Sequence, residues 1–378
     1  MKNNNKYIPV CEPLLSGNEA KYINEAVETG WISSSGKFVK EFEKTFAEYC
    51  GVKYGVSVCN GTAALHLCLV ASGIKPGDEV IIPDFTMIST AFAVCYTGAK
   101  PIFVDADFKT WDIDVNKIEE KISSNTKAII PVHIFGNMCN MDKIMELAKK
   151  YNLLVIEDAA EAHGAEYKGE KSGSFSNIAA FSFYANKNIT TGEGGMIVTN
   201  NEKLYNRARY FKNLCFSLTN GRNYLHDDIG FNYRMSNLHA AIGLAQVEKA
   251  DYYRDLRIRN NKLYKKFLSP YKEIIFQTDE PHSINVNWMN AILIDSSKTV
   301  KSRDELMIFL GTKGIETRLL FNGMHVQESL KNYGCDCSGD FSVTEQLAKH
   351  GLYLPSGSGL SEENIKYICN NIISFFRN

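Results

Sequence analysis

The chain has 378 residues, 44% apolar and 22% charged, ordinary values for a globular protein with a sizeable core, and a length that suggests two domains. Its 42 basic and 43 acidic side chains leave a net charge of −1, which gives no support to a nucleic-acid or polyanion partner. No window approaches the roughly 18 apolar residues of a membrane helix.

The N-terminal MKNNNKYIPV has no apolar core and no cleavage-type site. It does not read as a signal peptide, so a cytoplasmic location is the expectation. YGVSV (54–58) reads as a short strand and GTAALHLCLVASG (61–73) as a helix. EVIIP (79–83) is a strand, and TMISTAFAVCYTG (86–98) a helix ended by Gly98. PIFVDAD (101–107) and KAIIPVHIFG (127–136) are strands, and NMDKIMELAKKYN (140–152) is a helix. LLVIEDAA (153–160) is a strand that stops in two carboxylates. AAFSFY (179–184) and GMIVTN (195–200) complete the strands of this half. Strands alternating with helices, many of them continuous apolar runs, predict an α/β fold with a mostly parallel sheet covered on both faces.

Beyond residue 200 the pattern becomes helical. NEKLYNRARYFKNL and the long run 236–268 read as helices, the second as a bridge between domains. The strand NWMNAILID (287–295) and the helices 302–314 and 361–376 follow, which suits a smaller α+β domain. The expected division is a large domain over 1–245, whose N-terminal segment packs on the small domain, and a small domain over 246–378. The ten cysteines are scattered, several inside apolar runs, and read as reduced structural thiols. Only Cys335 and Cys337 are close. A single C-x-C lacks the paired spacing of zinc sites, so no metal is expected.

Three features carry chemistry. Asp158 ends a buried strand, where α/β sheets place ligands; alone it could equally cap the next helix. Asn60-Gly61-Thr62 turns a strand into a helix, which aims backbone N–H groups and the positive helix end at one spot suited to a phosphate. The turn matches neither a dinucleotide fingerprint nor a Walker loop. In FSFYANKNITTGEGG, Ser182 precedes Lys187 by five residues; the alternatives are a solvent-facing serine and a solvated loop lysine. A strand-end acid, a phosphate-cradling helix start and a lysine in a glycine-bounded loop together meet the needs of pyridoxal phosphate. The lysine condenses with the aldehyde, the acid pairs with the ring nitrogen and the helix start holds the phosphate.

NGTAALHL, IEDAAEAHGAEYKG, FYANKNITTGEGGMIVTN and GFNYRMSNLHAAIGLAQ resemble the motif set of the DegT/DnrJ/EryC1/StrS sugar aminotransferases. The resemblance runs nearly end to end, from GWISSSGKFVKEFE through RLLFNGMH to GLYLPSGSGLS. It implies the aspartate aminotransferase fold and pyridoxal 5′-phosphate. Within the family the chain is most similar to the perosamine-synthase type, which aminates C4 of a GDP-4-keto-6-deoxymannose sugar with glutamate. Carried over by residue, Lys187 matches the Schiff-base lysine and proton carrier, and Asp158 the acid on the pyridine nitrogen. Glu161 stands near the cofactor's 3-hydroxyl. Ser182, Gly61 and Thr62 match phosphate contacts. Asn232 matches an asparagine that reaches the phosphate from the neighbouring subunit, which implies a homodimer with shared sites. For Asn232 and Arg234 the alternatives are helix capping and a surface ion pair.

Met87 stands where many relatives have an aromatic residue on the cofactor ring, and a thioether can pack there. Gly323 replaces a common proline, and GLYLPSGSGLS also departs from its motif. These segments border the sugar site, where Arg318 and His325 are read as substrate contacts or as structural residues. Trp288 reads as core. The leading expectation is an aminotransferase acting on a keto sugar nucleotide for surface polysaccharide, without nucleic acid or membrane. Alternatives are a small keto-phosphate acceptor such as dihydroxyacetone phosphate, and a non-catalytic regulator. An intact Lys187 and Asp158 argue against the last.

Overall fold

Both faces of the main sheet are dry in the computed structural model, which describes residues 7–218 and 224–377. Its strands are β1 (Tyr54–Val58), β2 (Glu79–Pro83), β3 (Lys100–Val104), β4 (Thr126–Ile129) and β5 (Leu154–Asp158). A short ribbon, β6 (Glu166–Tyr167) and β7 (Glu170–Lys171), precedes the last two, β8 (Ile178–Ser182) and β9 (Gly195–Thr199). The order is β1-β9-β8-β5-β4-β2-β3. Strand β9 is antiparallel to both neighbours, and the other pairings are parallel. Alternation sorts the apolar runs between two cores. Ile81, Ile129 and Val155 pack on one face, and Ile82, Ile130 and Ile156 on the other. Each such side chain contributes roughly 1.5–3 kcal/mol by leaving water.

Helices cover these faces. They are α1 (Glu19–Glu28), α2 (Lys37–Tyr49), α3 (Gly61–Ser72), α4 (Ser89–Tyr96), α5 (Met141–Tyr151), α6 (Glu202–Lys212) and α7 (Asn237–Val247). Phe38, Phe42 and Phe46 recur at four-residue spacing and seat α2 in one core. Helix α3 is buried almost all round, from Ala63 to Leu69 without a break. It is therefore an interior helix, fixed by its start at the end of β1.

Two expected elements change. The run 127–136 pairs in the sheet only to Ile129. Pro131 has no N–H to donate, Val132 makes a single bridge to Asp158, and 134–136 form a 3-10 turn with Phe135 at φ 58°. The run 236–268 is two helices, α7 and α8 (Ala250–Leu268). At the break, Glu248 accepts bonds from Asn18 at 2.7 Å and Tyr22 at 2.5 Å, and the Lys249 ammonium reaches the Ser16 carbonyl.

A second, antiparallel sheet follows. It contains β10 (Ile274–Phe276), β12 (Asn290–Ile294), β13 (Arg318–Leu319) and β14 (Gly351–Leu354), while β11 (Ser283–Ile284) joins the ribbon. The helices α9 (Arg303–Thr312), α10 (Glu328–Tyr333), α11 (Ser342–His350) and α12 (Glu362–Arg377) complete this part. Its own core holds Tyr264, Ile292, Leu306, Leu352 and Ile368. The N-terminal segment lies against it: the Ile8 amide bonds to Gly314 O at 2.8 Å, and the Glu316 amide to Ile8 O at 2.9 Å. Among the described residues, no helix is long and apolar enough to cross a membrane.

Candidate active site

Three ionisable side chains meet where β5 and β8 end. Strand β5 drives Asp158 into the interior, where it is 4% exposed. Its Oδ2 accepts the Thr90 hydroxyl at 2.7 Å, and its Oδ1 the Ala160 amide at 3.2 Å. Burial raises its pKa against these bonds. Glu161 accepts the Phe135 amide at 2.8 Å, and burial pushes its carboxyl up to about 7. Lys187 Nζ stands 4.0 Å from Glu161 Oε1, on a side chain 9% exposed. The same Nζ lies 3.5 Å from the centre of the Trp288 ring. Burial lowers the lysine pKa, opposed by Glu161 and Asp158. The lysine is not a solvated loop residue.

Facing this cluster is the start of α3. Asn60 is extended, and its side chain accepts the Ala63 amide at 2.8 Å, a cap contributing about 1 kcal/mol. The Gly61 and Thr62 amides belong to the first turn, which has no intrahelical acceptor for them. Ser182 sits opposite. A Cβ on Gly61 would fall 2.7 Å from Ser182 Cβ and 3.1 Å from its Oγ, so only glycine lets the two elements approach this closely. The product is a cradle of amides and one hydroxyl at the positive end of a helix.

One cleft of about 760 Å³ collects Gly61, Thr62, Met87, Asp158, Glu161, Ser182, Lys187 and Arg318. Met87 lies half exposed in its wall. Arg318 is also exposed and bonds to Glu316 Oε1 through Nε at 2.9 Å. Two expected residues are not among its lining. Asn232 is exposed and accepts Arg234 Nε at 3.0 Å, while α7 is capped by Ser236. His325 Nδ1 lies 2.7 Å from Asp84 Oδ2, and its ring stacks on Phe341 at 4.5 Å. Trp288, read from sequence as core, is buried, but its ring also faces Lys187. Tyr353, on β14, was not singled out by the sequence; its buried hydroxyl has no partner among the described residues, and the residue lines the same cleft.

The sequence pattern of the DegT/DnrJ/EryC1/StrS aminotransferase family matches residues 13–373. The chain belongs to that family. The GDP-perosamine synthase of Escherichia coli O157:H7 is 45% identical over 371 residues, 98% of this chain and 99% of that protein. The GDP-perosamine synthase of Caulobacter vibrioides is 45% identical over 362 residues, 95% of each. The solved structure of DesV from S. venezuelae matches with a TM-score of 0.89 and 30% identity, over 96% of this chain and 95% of that one. This aminotransferase is thus pyridoxal-phosphate-dependent, with the aspartate-aminotransferase-like α/β fold. Neither the small keto-phosphate acceptor nor the regulator reading is favoured by these relatives.

The cleft suits the cofactor on its own geometry. The cradle that a Gly61 Cβ would fill is shaped for a phosphate, and among the described residues no basic side chain forms an ion pair with the buried Asp158 carboxylate. Gly61→Ala is accordingly expected to weaken cofactor binding to the apoenzyme by about tenfold or more, since phosphate contacts are charge-assisted. Fluorescence titration with pyridoxal phosphate measures this; an unchanged Kd would remove Gly61 from the cradle.

Proposed function

We propose that this aminotransferase moves the amino group of L-glutamate to C4 of a GDP-linked 4-keto-6-deoxy sugar, for surface polysaccharide. The observation that carries the chemistry is the Lys187, Asp158 and Glu161 cluster opposite the α3 cradle in one cleft. Likeness to GDP-perosamine synthases over 95% or more of the chain supports the acceptor class.

In this reading the Lys187 amine would hold the cofactor between turnovers and would be free to carry a proton during them. Bound pyridoxal phosphate supplies an electron sink for charge developing at the donor's α-carbon. Lys187 Nζ then carries the proton from that carbon. Burial favours its neutral form, which is the form able to accept a proton. Asp158 would pair with the ring nitrogen of the bound cofactor, a contact that would offset the cost of burying its charge. Glu161, poised near neutrality, holds the 3-hydroxyl side. The Gly61 and Thr62 amides and the Ser182 hydroxyl fix the phosphate, and Met87 packs by the ring.

Asn232, exposed on one protomer, reaches the phosphate of a partner subunit, so the enzyme works as a homodimer with shared sites. Arg318, in the cleft wall, meets the acceptor's charge. His325 serves as a strut between Asp84 and Phe341. Ten unpaired cysteines support a reducing, cytoplasmic setting.

The acceptor is tested with glutamate and a panel of a GDP-4-keto-6-deoxy sugar, a TDP-keto sugar and dihydroxyacetone phosphate. The expected result is 2-oxoglutarate release with the GDP sugar alone. Turnover with the keto-phosphate and none with the GDP sugar would overturn the acceptor assignment.

A further inference from the structure

Arg257 sits on the buried stripe of α8, between Tyr253 and Asn260, and is 1% exposed. A buried guanidinium ordinarily has a carboxylate beside it. Here all five N–H donors go to neutral groups. Nε donates to Ser358 Oγ at 2.9 Å; Nη1 donates to Trp288 O at 2.9 Å and Ser356 O at 2.7 Å. Nη2 donates to Cys11 Sγ and to Asn186 O, both at 3.3 Å. The Asn186 carbonyl, one residue before Lys187, also accepts the Trp288 indole N–H at 2.9 Å and the Cys11 thiol at 3.4 Å. Arg257 thus joins four stretches of chain: the N-terminal segment, the lysine turn, the start of β12 and the turn after β14. Trp288 is gripped at its carbonyl by Arg257 and at its indole by the lysine turn. Its ring lies under Lys187 Nζ at 3.5 Å.

We propose that Arg257 is a positioning residue for transamination: it clamps the Asn186–Lys187 turn and Trp288 as one unit, so that the Lys187 amine, whenever it is not bonded to the cofactor, has a defined resting place on the indole face. This rests on the reading of Lys187 as the reacting amine. An aromatic face attracts an ammonium group without bonding to it, so the amine is located yet free to leave. Glu161, at 4.0 Å, stands beside that resting place. Other ionisable groups acting on Lys187 include Asp158, Cys11, His163 and Arg257 itself; Glu161, Asp158 and Cys11 favour the ammonium, and Arg257 opposes it. Lysine cannot replace Arg257 in this role. It offers three donors from a point charge, not five in a planar fork.

The test compares Arg257→Lys, Arg257→Met, Trp288→Phe and Lys187→Ala with the unaltered enzyme. Activity is read as kcat and KM for each substrate. A second reading uses the cofactor-free protein: the pH dependence of Lys187 acetylation by acetic anhydride, followed by mass spectrometry. Arg257→Lys is expected to lower kcat by about ten- to a hundredfold with little change in KM, the effect of misplacing a reacting group by a fraction of an ångström to an ångström. Trp288→Phe keeps a ring but loses the N–H, and should show a smaller loss of the same kind. Arg257→Met should move the acetylation midpoint upward, because a cation near the amine is gone. If Arg257→Met does not fold, Arg257→Lys and Trp288→Phe decide. Native kcat in Arg257→Lys overturns the proposal, as does a loss fully accounted for by unfolded protein in melting curves. Native activity in Lys187→Ala instead overturns the reading of the lysine. An inactive Lys187→Ala beside a native Arg257→Lys overturns only the clamp.

Discussion

Lys187→Ala is expected to lower kcat by about four orders of magnitude and to abolish the enzyme-bound cofactor band near the visible edge. The proposed lysine does two things, so its loss removes both the covalent anchor and the proton carrier. Positioned acid–base groups contribute on the order of 10²–10⁴-fold, and among the described residues lining the cleft there is no other lysine to take over. The side chain is 9% exposed, within 4.0 Å of Glu161, and bulk solvent has little access to it. Lys187→Arg should fare no better, because a guanidinium does not give up its proton in this pH range. Added methylamine should restore part of the rate in Lys187→Ala by occupying the vacated volume. Single-turnover measurements separate these effects from product release. A native rate in Lys187→Ala would show that the proton moves by another route.

Local pattern suffices for some of these elements. EVIIP, LLVIED and GMIVTN are strands because their apolar runs are covered on both faces; no distant contact is needed to see it. The turn at Asn60-Gly61 was legible for a similar reason, since the cap and glycine act within one helical turn. The split of 236–268 was not. The helical pattern runs through Glu248 and Lys249 with no proline or glycine at the break, and bonds with Ser16, Asn18 and Tyr22 impose it. Trp288 reads as core, which it is, and nothing within reach in sequence says that its face meets a lysine 101 positions earlier. Arg257 left a signal that composition hides. The stripe Ala250, Tyr253, Arg257, Asn260, Tyr264 and Leu268 has core spacing, so the arginine falls on the buried face of a helix whose other positions include Asp251, Arg254, Asp255, Arg259, Lys262, Lys265 and Lys266. Asn232 lies outside the cleft, and its expected work needs a second chain.

Asp158→Asn is the other large effect, and it separates charge from shape. Asparagine nearly matches aspartate in volume, and the Thr90 hydroxyl can donate to its oxygen or accept from its amide. On the proposed reading, what disappears is the negative charge that would keep a proton on the ring nitrogen, and with it the electron sink. Loss of one preorganised electrostatic contact in a dry site costs about 10²–10³ in kcat. The covalent anchor stays, so the cofactor band should persist, unlike in Lys187→Ala. Stability should move the other way in the cofactor-free protein. Burial raises the folded pKa of Asp158 above 3.8, so above that pH the ionised carboxylate destabilises the empty fold. The amide side chain in Asp158→Asn carries no such charge, and the apoenzyme should melt at the same temperature or higher. A kcat that falls while apoenzyme stability holds is the signature of a residue kept for chemistry at a cost to the fold. A native kcat, or a fall matched by unfolding, would return Asp158 to an ordinary structural carboxylate.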